Sequence, residues 1–271
     1  MESIPFNLRD PGDYSQIDSA TAELRVTNIG RHIAVTTKHL AKLNEHARSL
    51  GAEGHALRNA RRLATGFQDL VVILQEPSDI AEDRDYEEMV SASPTLKHVD
   101  TALSLASNGG RSLSNTVTVD LRLFRSAIIR GTQEDAQRLS DDKKAYAAVE
   151  KILGLLRPGV VIVCQCETAA DVTYGVAADL CSSVRSSGDI SPYVLPNGHK
   201  LIKVNSFHPM YFARMKEEEE LCRRGLAHNL FRATFSVAIN ALAGRKIHGS
   251  AFFLSQAGRV GGEIFDALIR G

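Results

Sequence analysis

The sequence predicts an α/β fold, a three-layer sandwich whose central sheet is mostly parallel and has four strands. The first observation is that short apolar runs alternate with longer segments in which apolar residues recur at helical spacing. The second is that each run ends in polar residues, where an open parallel sheet has its ligand crevice. The predicted strands are residues 69–74, a weaker run that ends at Asn115, residues 160–163 and residues 201–204.

Length and composition indicate one large domain. A chain of 271 residues with 44% hydrophobic content can bury a sizeable core, and we expect a single domain over residues 29–271. Residues 1–28 have no sustained periodicity and are predicted to form an irregular N-terminal arm. No apolar stretch reaches the ~18 to 20 residues of a membrane span, and the N-terminus does not resemble a signal peptide. We therefore expect no membrane partner and a nuclear or cytoplasmic location.

Charge and cysteine content argue against a protein that is basic overall and against a disulfide-rich protein. The 32 basic and 32 acidic residues cancel, so no global field attracts the protein to nucleic acid, and DNA binding would depend on a local patch. The cysteines are too few and too unevenly spaced for a disulfide framework, and free thiols are expected. They are Cys164, Cys166, Cys181 and Cys222.

The helices follow from the remaining segments. Residues 29–64 have apolar residues at roughly helical spacing, interrupted by Gly51 and Gly54, which predicts two helices. The acidic stretch at 79–88 indicates a solvated loop or a polar helix face, and Pro94 is expected to begin a helix that ends near residue 107. Further helices are predicted over residues 134–156, 169–184, 214–242 (one or two helices) and 252–269, with a turn at 196–199.

The segment from residue 107 to residue 128 allows two interpretations. Strict alternation through Val117, Val119, Leu121 and Leu123 favours a strand. Alternatively, a short strand ends at Asn115 and the rest forms a loop and a helix. The pattern alone does not decide between them.

Three motifs occur in an order that resembles the uracil-DNA glycosylase superfamily. Members carry a strand ending in a GQDPY-type motif, a short strand ending in Asn before a TV-containing turn, and a strand ending in an HPSP-type loop. The counterparts are VVILQEPS at 71–78, SLSNTVTV at 112–119 and VNSFHPMYF at 204–212, and SPTLKHVDTAL at 93–103 is similar to a helix-opening segment of the family. The resemblance covers about residues 69–215. It implies a hydrolase, free of metal and cofactor, that cleaves the N-glycosidic bond of a deaminated or damaged base such as uracil in DNA.

The resemblance also implies roles for single residues. Glu76 occupies the position of the acid that orients or activates water, and Asn115 that of the amide that reads a flipped-out base. His208 occupies the position of the imidazole that donates a hydrogen bond to the departing base. Gln75 and Ser78 would line the base site. The implied DNA-binding loop contains Met210, Tyr211, Phe212 and Arg214.

Four positions differ from the family pattern. Leu74 replaces a glycine and Glu76 replaces an aspartate. Ser78 replaces the tyrosine that excludes a 5-methyl group, and Met210 replaces a serine that contacts phosphate. Acidic residues also follow the first and last motifs. These differences support an alternative, a catalytically degenerate relative that acts as a binding or regulatory module. A third interpretation is a hydrolase of a free nucleoside or another small molecule.

Each site residue also has an ordinary structural interpretation. Glu76 could cap a helix, Asn115 could form a turn, and His208 could be a common loop histidine. The thiols of Cys164 and Cys166 are zinc-ligand types, yet in an apolar strand they are expected to serve as small buried hydrophobes. The functional interpretation therefore requires Glu76, Asn115 and His208 to lie together.

Overall fold

The computed structural model describes residues 37–79, 83–164, 180, 190–206, 208–210 and 221–243. The predicted arm at 1–28 and the predicted helix at 252–269 lie outside these residues, as does the predicted helix at 169–184 apart from Leu180. Within the described ranges, no helix is both long and apolar enough to cross a membrane.

The described residues form seven helices and five strands. The helices are α1 (Leu40–Leu50), α2 (Gly54–Leu63), α3 (Tyr86–Ala92), α4 (Pro94–Ala106), α5 (Ala127–Gly131), α6 (Asp135–Leu156) and α7 (Leu221–Leu242). The strands are β1 (Phe67–Leu74), β2 (Thr116–Asp120), β3 (Val160–Cys164), β4 (Ile190–Val194) and β5 (Lys200–Ser206). The predicted helix pair before β1 is confirmed, and Gly51 ends α1 in the left-handed conformation, with φ 67°.

The five strands form one sheet in the order β2-β1-β3-β5-β4. All neighbours are parallel except β4 and β5, which pair antiparallel across the predicted turn at residues 196–199. The mostly parallel α/β sheet is thus confirmed, but the predicted count of four strands was wrong. The missed strand is β4, a short edge strand that contains Pro192 and exposes Val194. Such a strand needs no apolar run, because it pairs along one edge only and its side chains are at most partly buried.

Helices cover both faces of the sheet, which gives three layers. Alternate strand residues point to opposite faces, so Val72 belongs to one core cluster and Val71 to the other. The first cluster includes residues of α4 and α7, which pack together, and the second includes residues of α1 and α6, which also pack together. Because both faces are buried, the parallel strands read as continuous apolar runs.

Strand β2 begins after Asn115 and does not end there. The side chain of Asn115 accepts a hydrogen bond from the Ser112 amide (2.9 Å) and donates one to the Gly110 carbonyl (3.2 Å), so it stabilises a turn. The alternating residues that follow Asn115 then form the strand as far as Asp120. The prediction of a strand ending at Asn115 was therefore wrong, and the strand interpretation of the alternating segment is confirmed over residues 116–120.

Candidate active site at the carboxyl edge of the sheet

The carboxyl ends of β1 and β2 bring two acidic side chains to the same edge. Leu74, the last residue of β1, lies beside Asp120, the last residue of β2. The pairing continues past both strands, because the Leu121 amide donates to the Leu74 carbonyl (2.8 Å) and the Arg122 amide donates to the Gln75 carbonyl (3.0 Å). Glu76 follows directly on β1. The backbone thus fixes Glu76 and Asp120 at one end of the sheet.

Glu76 is part of an ion-pair network at this edge. Its Oε2 atom accepts a hydrogen bond from Nη1 of Arg130 at 3.0 Å, and 23% of its side chain is exposed. The other terminal nitrogen of Arg130 donates to Asp142 at 3.1 Å. Asp142 also accepts from Nε of the buried Arg122 at 3.4 Å. Arg130 therefore connects the accessible Glu76 with a buried carboxylate of α6.

The short helix α5 places Arg130 beside Glu76. The side chain of Ser126 caps α5 by accepting from the Ile129 amide, and Asp79 accepts from the Ile128 amide at 3.3 Å. The Ser126 bond satisfies an amide of the first turn, and the Asp79 bond joins α5 to the segment that follows β1. Arg130, in the last turn of α5, then lies between Glu76 and α6.

Asp120 differs from Glu76 in its electrostatic surroundings. Burial, and next the negative charge of Glu76, raise the pKa of Asp120 to about 7. Among the residues that the structure describes, none forms an ion pair with Asp120. The residue nevertheless remains partly exposed. A partly accessible carboxyl group whose pKa lies near neutrality is typical of acid–base sites.

His208 lies at the same edge, two residues beyond β5. Its Nδ1 atom accepts a hydrogen bond from the Met210 amide at 3.3 Å, so the neutral ring carries its proton on Nε2. Only β3 separates β5 from β1 in the sheet. Two strand spacings amount to ~10 Å, so the ends of β1 and β5 lie about that far apart.

Asn115 lies at the opposite end of the sheet. Its carbonyl accepts from the amide of Phe67, the first residue of β1, at 2.8 Å. The seven residue steps along β1 to Leu74 cover ~23 Å at the usual rise of a strand. The expected meeting of Asn115 with Glu76 and His208 does not occur, because the turn that holds Asn115 precedes β2.

Of the other predicted site residues, some lie at the carboxyl edge and some lie outside the described residues. Gln75 is partly buried at the carboxyl edge, and Ser78 is exposed two residues beyond Glu76. Met210 is partly buried beside His208. The loop residues Tyr211, Phe212 and Arg214 lie outside the described residues.

Asp120 is the site residue that the sequence interpretation missed. The signal was present, since Asp120 ends the apolar alternation of Val117 and Val119 as Glu76 follows the run before it. The similarity of the Asn-Thr-Val segment to a family motif directed attention to Asn115 instead. Asp120 and Glu76 both follow the rule that functional side chains lie at the carboxyl ends of parallel strands, here called the strand-end rule.

The buried thiol of Cys164 ends β3, and in the described ranges no cluster of three or more His, Cys, Asp or Glu side chains is arranged to hold a metal ion. No protein-family model matches the sequence, and no curated protein matches it significantly. Fold and site together define the class: an α/β protein with a mostly parallel sheet and polar, partly acidic side chains at its carboxyl edge.

Proposed function

We propose that the protein hydrolyses the N-glycosidic bond of a deaminated or damaged base, such as uracil, in DNA. The observation that carries this proposal is the presence of Glu76 and His208 at one edge of the sheet, at the ends of strands two positions apart. The motifs around these residues also resemble uracil-DNA glycosylases in sequence and in order.

The chemistry follows from the two side chains. The carboxylate of Glu76 orients the attacking water and stabilises the positive charge that develops on the sugar as the bond breaks. The Nε2–H group of His208 donates a hydrogen bond to the base oxygen that gains negative charge. Arg130 fixes the rotamer of Glu76 through the 3.0 Å bond, which keeps the carboxylate in position before substrate arrives.

A second candidate is a catalytically degenerate relative that acts as a binding or regulatory module. The contact between Arg130 and Glu76 favours it, because a carboxylate oxygen that accepts from a guanidinium is occupied and does not face a water molecule. The position of Asn115 favours it as well, since the amide that would read the base is absent from the carboxyl edge.

Base release separates the two candidates. Single- and double-stranded oligonucleotides that carry uracil, hypoxanthine, xanthine or a thymine mismatch are incubated with the wild type and with Glu76→Gln. A glycosylase releases at least one base, and the isosteric Glu76→Gln variant loses that release while remaining folded. Absence of release at high enzyme concentration, combined with absence of salt-sensitive DNA binding, would instead support the non-catalytic relative.

A further inference from the structure

We propose that Asp120 is the general acid of this site, paired with Glu76, and that it delivers a proton to the departing base. This inference rests on the proposed function and adds a residue that the family resemblance does not supply. Its basis is the register that places Asp120 beside Leu74, two residues before Glu76, and the two backbone bonds that extend the pairing past both strands.

The two carboxyl groups differ in their charged neighbours, which suits them to different roles. Glu76 has a cationic partner in Arg130, and the buried Asp142 takes up the second contact of Arg130 and the Nε contact of Arg122. The guanidinium groups of Arg122 and Arg130 are therefore both bonded to Asp142, and that of Arg130 is also bonded to Glu76. In the part of the chain that the structure describes, no ion pair involves Asp120. Its pKa of about 7 then leaves a substantial protonated fraction at neutral pH.

The reaction balances with water as the only co-reactant. The bond between the sugar C1′ and the base nitrogen breaks, and its electron pair goes to the base. The proton of Asp120 is transferred to the base, which departs neutral, while water adds to C1′ and gives its proton to Glu76. Return of that proton from Glu76 to Asp120 through solvent restores the starting state. Two carboxyl groups in different protonation states can thus share acid and base roles, as in glycoside hydrolysis.

His208 complements Asp120 without replacing it. In the sheet order, two strands separate β5 from β2, so the two side chains approach a bound base from different sides. The imidazole donates a hydrogen bond to the base oxygen, whereas Asp120 transfers a proton. Loss of Asp120 should therefore matter most for bases that are poor leaving groups.

The test is the pH dependence of single-turnover base release from the same oligonucleotides, between pH 5.5 and pH 9. We compare the wild type, Asp120→Asn and, as a matched control, Asp135→Asn, which alters an exposed aspartate at the start of α6. The wild type and the control should lose activity as pH rises above ~7, with a slope of one proton. Asp120→Asn should be ~10² to 10⁴-fold slower at neutral pH and should lack this alkaline limb. Replacing uracil by 5-fluorouracil, a better leaving group, should reduce the defect of the variant.

The outcomes distinguish the inference from the proposed function. Base release that requires Glu76 but has the same rate and pH profile in Asp120→Asn overturns the acid role and leaves the glycosylase proposal intact. Absence of release from every substrate by the wild type overturns both. A uniform loss in Asp120→Asn that retains the alkaline limb and ignores the leaving group also contradicts proton donation, because it indicates a merely structural role.

Discussion

Asp120 should reduce the stability of the folded protein at neutral and alkaline pH. Its folded-state pKa of about 7 lies above the value of an unfolded aspartate. Because the folded-state pKa of Asp120 is raised, the contribution of this residue to the free energy of unfolding is fully present below its unfolded-state pKa. That contribution is lost as pH rises through the folded-state pKa. We therefore expect Asp120→Asn to be more stable than the wild type by about 1 to 2 kcal/mol at pH 8, after allowance for partial exposure, and by less at pH 5.

Urea unfolding of Asp120→Asn and the wild type at both pH values measures this difference. Asp135→Asn serves again as the exposed control. A stability difference between Asp120→Asn and wild type that is independent of pH would contradict the raised pKa. A functional residue that costs stability is a common compromise at active sites.

His46 should make the protein sensitive to acid. Its side chain lies buried in α1 beside the ring of Phe124, and burial, assisted by the charge of Arg125, lowers the pKa of His46 to about 4. Because the folded-state pKa is below the unfolded value, the unfolded chain binds the extra proton between pH ~6.5 and ~4. Stability should fall over that window by on the order of 2 kcal/mol.

The variant His46→Leu removes this titration. Its free energy of unfolding should change less between pH 7 and pH 5 than that of the wild type, whereas His55→Leu, at a less buried position, should behave like the wild type. If the free energy of unfolding changes equally with pH in the wild type and in His46→Leu, groups other than His46 cause the acid sensitivity.

A third residue-scale prediction concerns a buried ion pair at the amino end of the sheet. Nη2 of Arg111 contacts Oδ2 of Asp69 at 2.5 Å, and both side chains are almost fully buried. The guanidinium also lies 4.9 Å from the centroid of the Phe67 ring. Removal of one partner leaves a buried charge uncompensated, so Arg111→Met should lower the free energy of unfolding by about 3 to 5 kcal/mol.

The double variant Arg111→Met with Asp69→Asn is the control for this pair. It removes both charges and should recover part of the lost stability in urea unfolding. If the double variant is less stable than Arg111→Met alone, the stability lost in Arg111→Met does not come from the unpaired carboxylate of Asp69.

At the scale of elements, the junction between β1 and β2 depends on Gly66. A Cβ atom on Gly66 would lie 2.6 Å from the carbonyl carbon of Asn115, closer than real contacts of this kind. Gly66→Ala should therefore push apart the two chain segments that lead into β1 and β2, with a loss of about 2 kcal/mol or more. Gly131→Ala, whose Cβ would meet no heavy atom within 4 Å, should be near neutral or slightly stabilising. Thermal unfolding compares the two, and equal melting temperatures would contradict the close approach.

The strands that are buried on both faces could be predicted from the sequence. Strands β1, β3 and β5 lie inside the sheet and have helices on both faces, so their apolar runs are visible without further information. Helix α4 was predicted from Pro94, which follows the capping residue Ser93. Edge strand β4 was missed because pairing with β5, and not an apolar run, defines it.

The candidate site was predictable in part. The strand-end rule correctly placed Glu76 and His208 at one edge, because it depends only on parallel strands. It could not locate the start of β2, since the Asn115 turn and the strand that follows share one stretch of small polar and β-branched residues. The contact between Glu76 and Arg130 joins positions 54 residues apart and has no local sequence signal.

At the scale of the whole molecule, the sheet separates two polar regions of different character. The amino end contains the buried ion pair of Asp69 and Arg111 and the hydrogen-bonded turn around Asn115. The carboxyl end contains Glu76, Asp120 and a network that reaches α6. We propose that the first region serves stability and the second serves chemistry, as expected for an open parallel sheet.

The most direct test of this assignment compares base release by Glu76→Gln and by Asn115→Asp. The second variant keeps the oxygen that accepts from the Ser112 amide but loses the amide group that a base-reading residue would need. We expect Glu76→Gln to abolish release and Asn115→Asp to retain it within a few-fold of the wild type. Loss of release in a folded Asn115→Asp variant, together with an active Glu76→Gln variant, would contradict a site at the carboxyl edge.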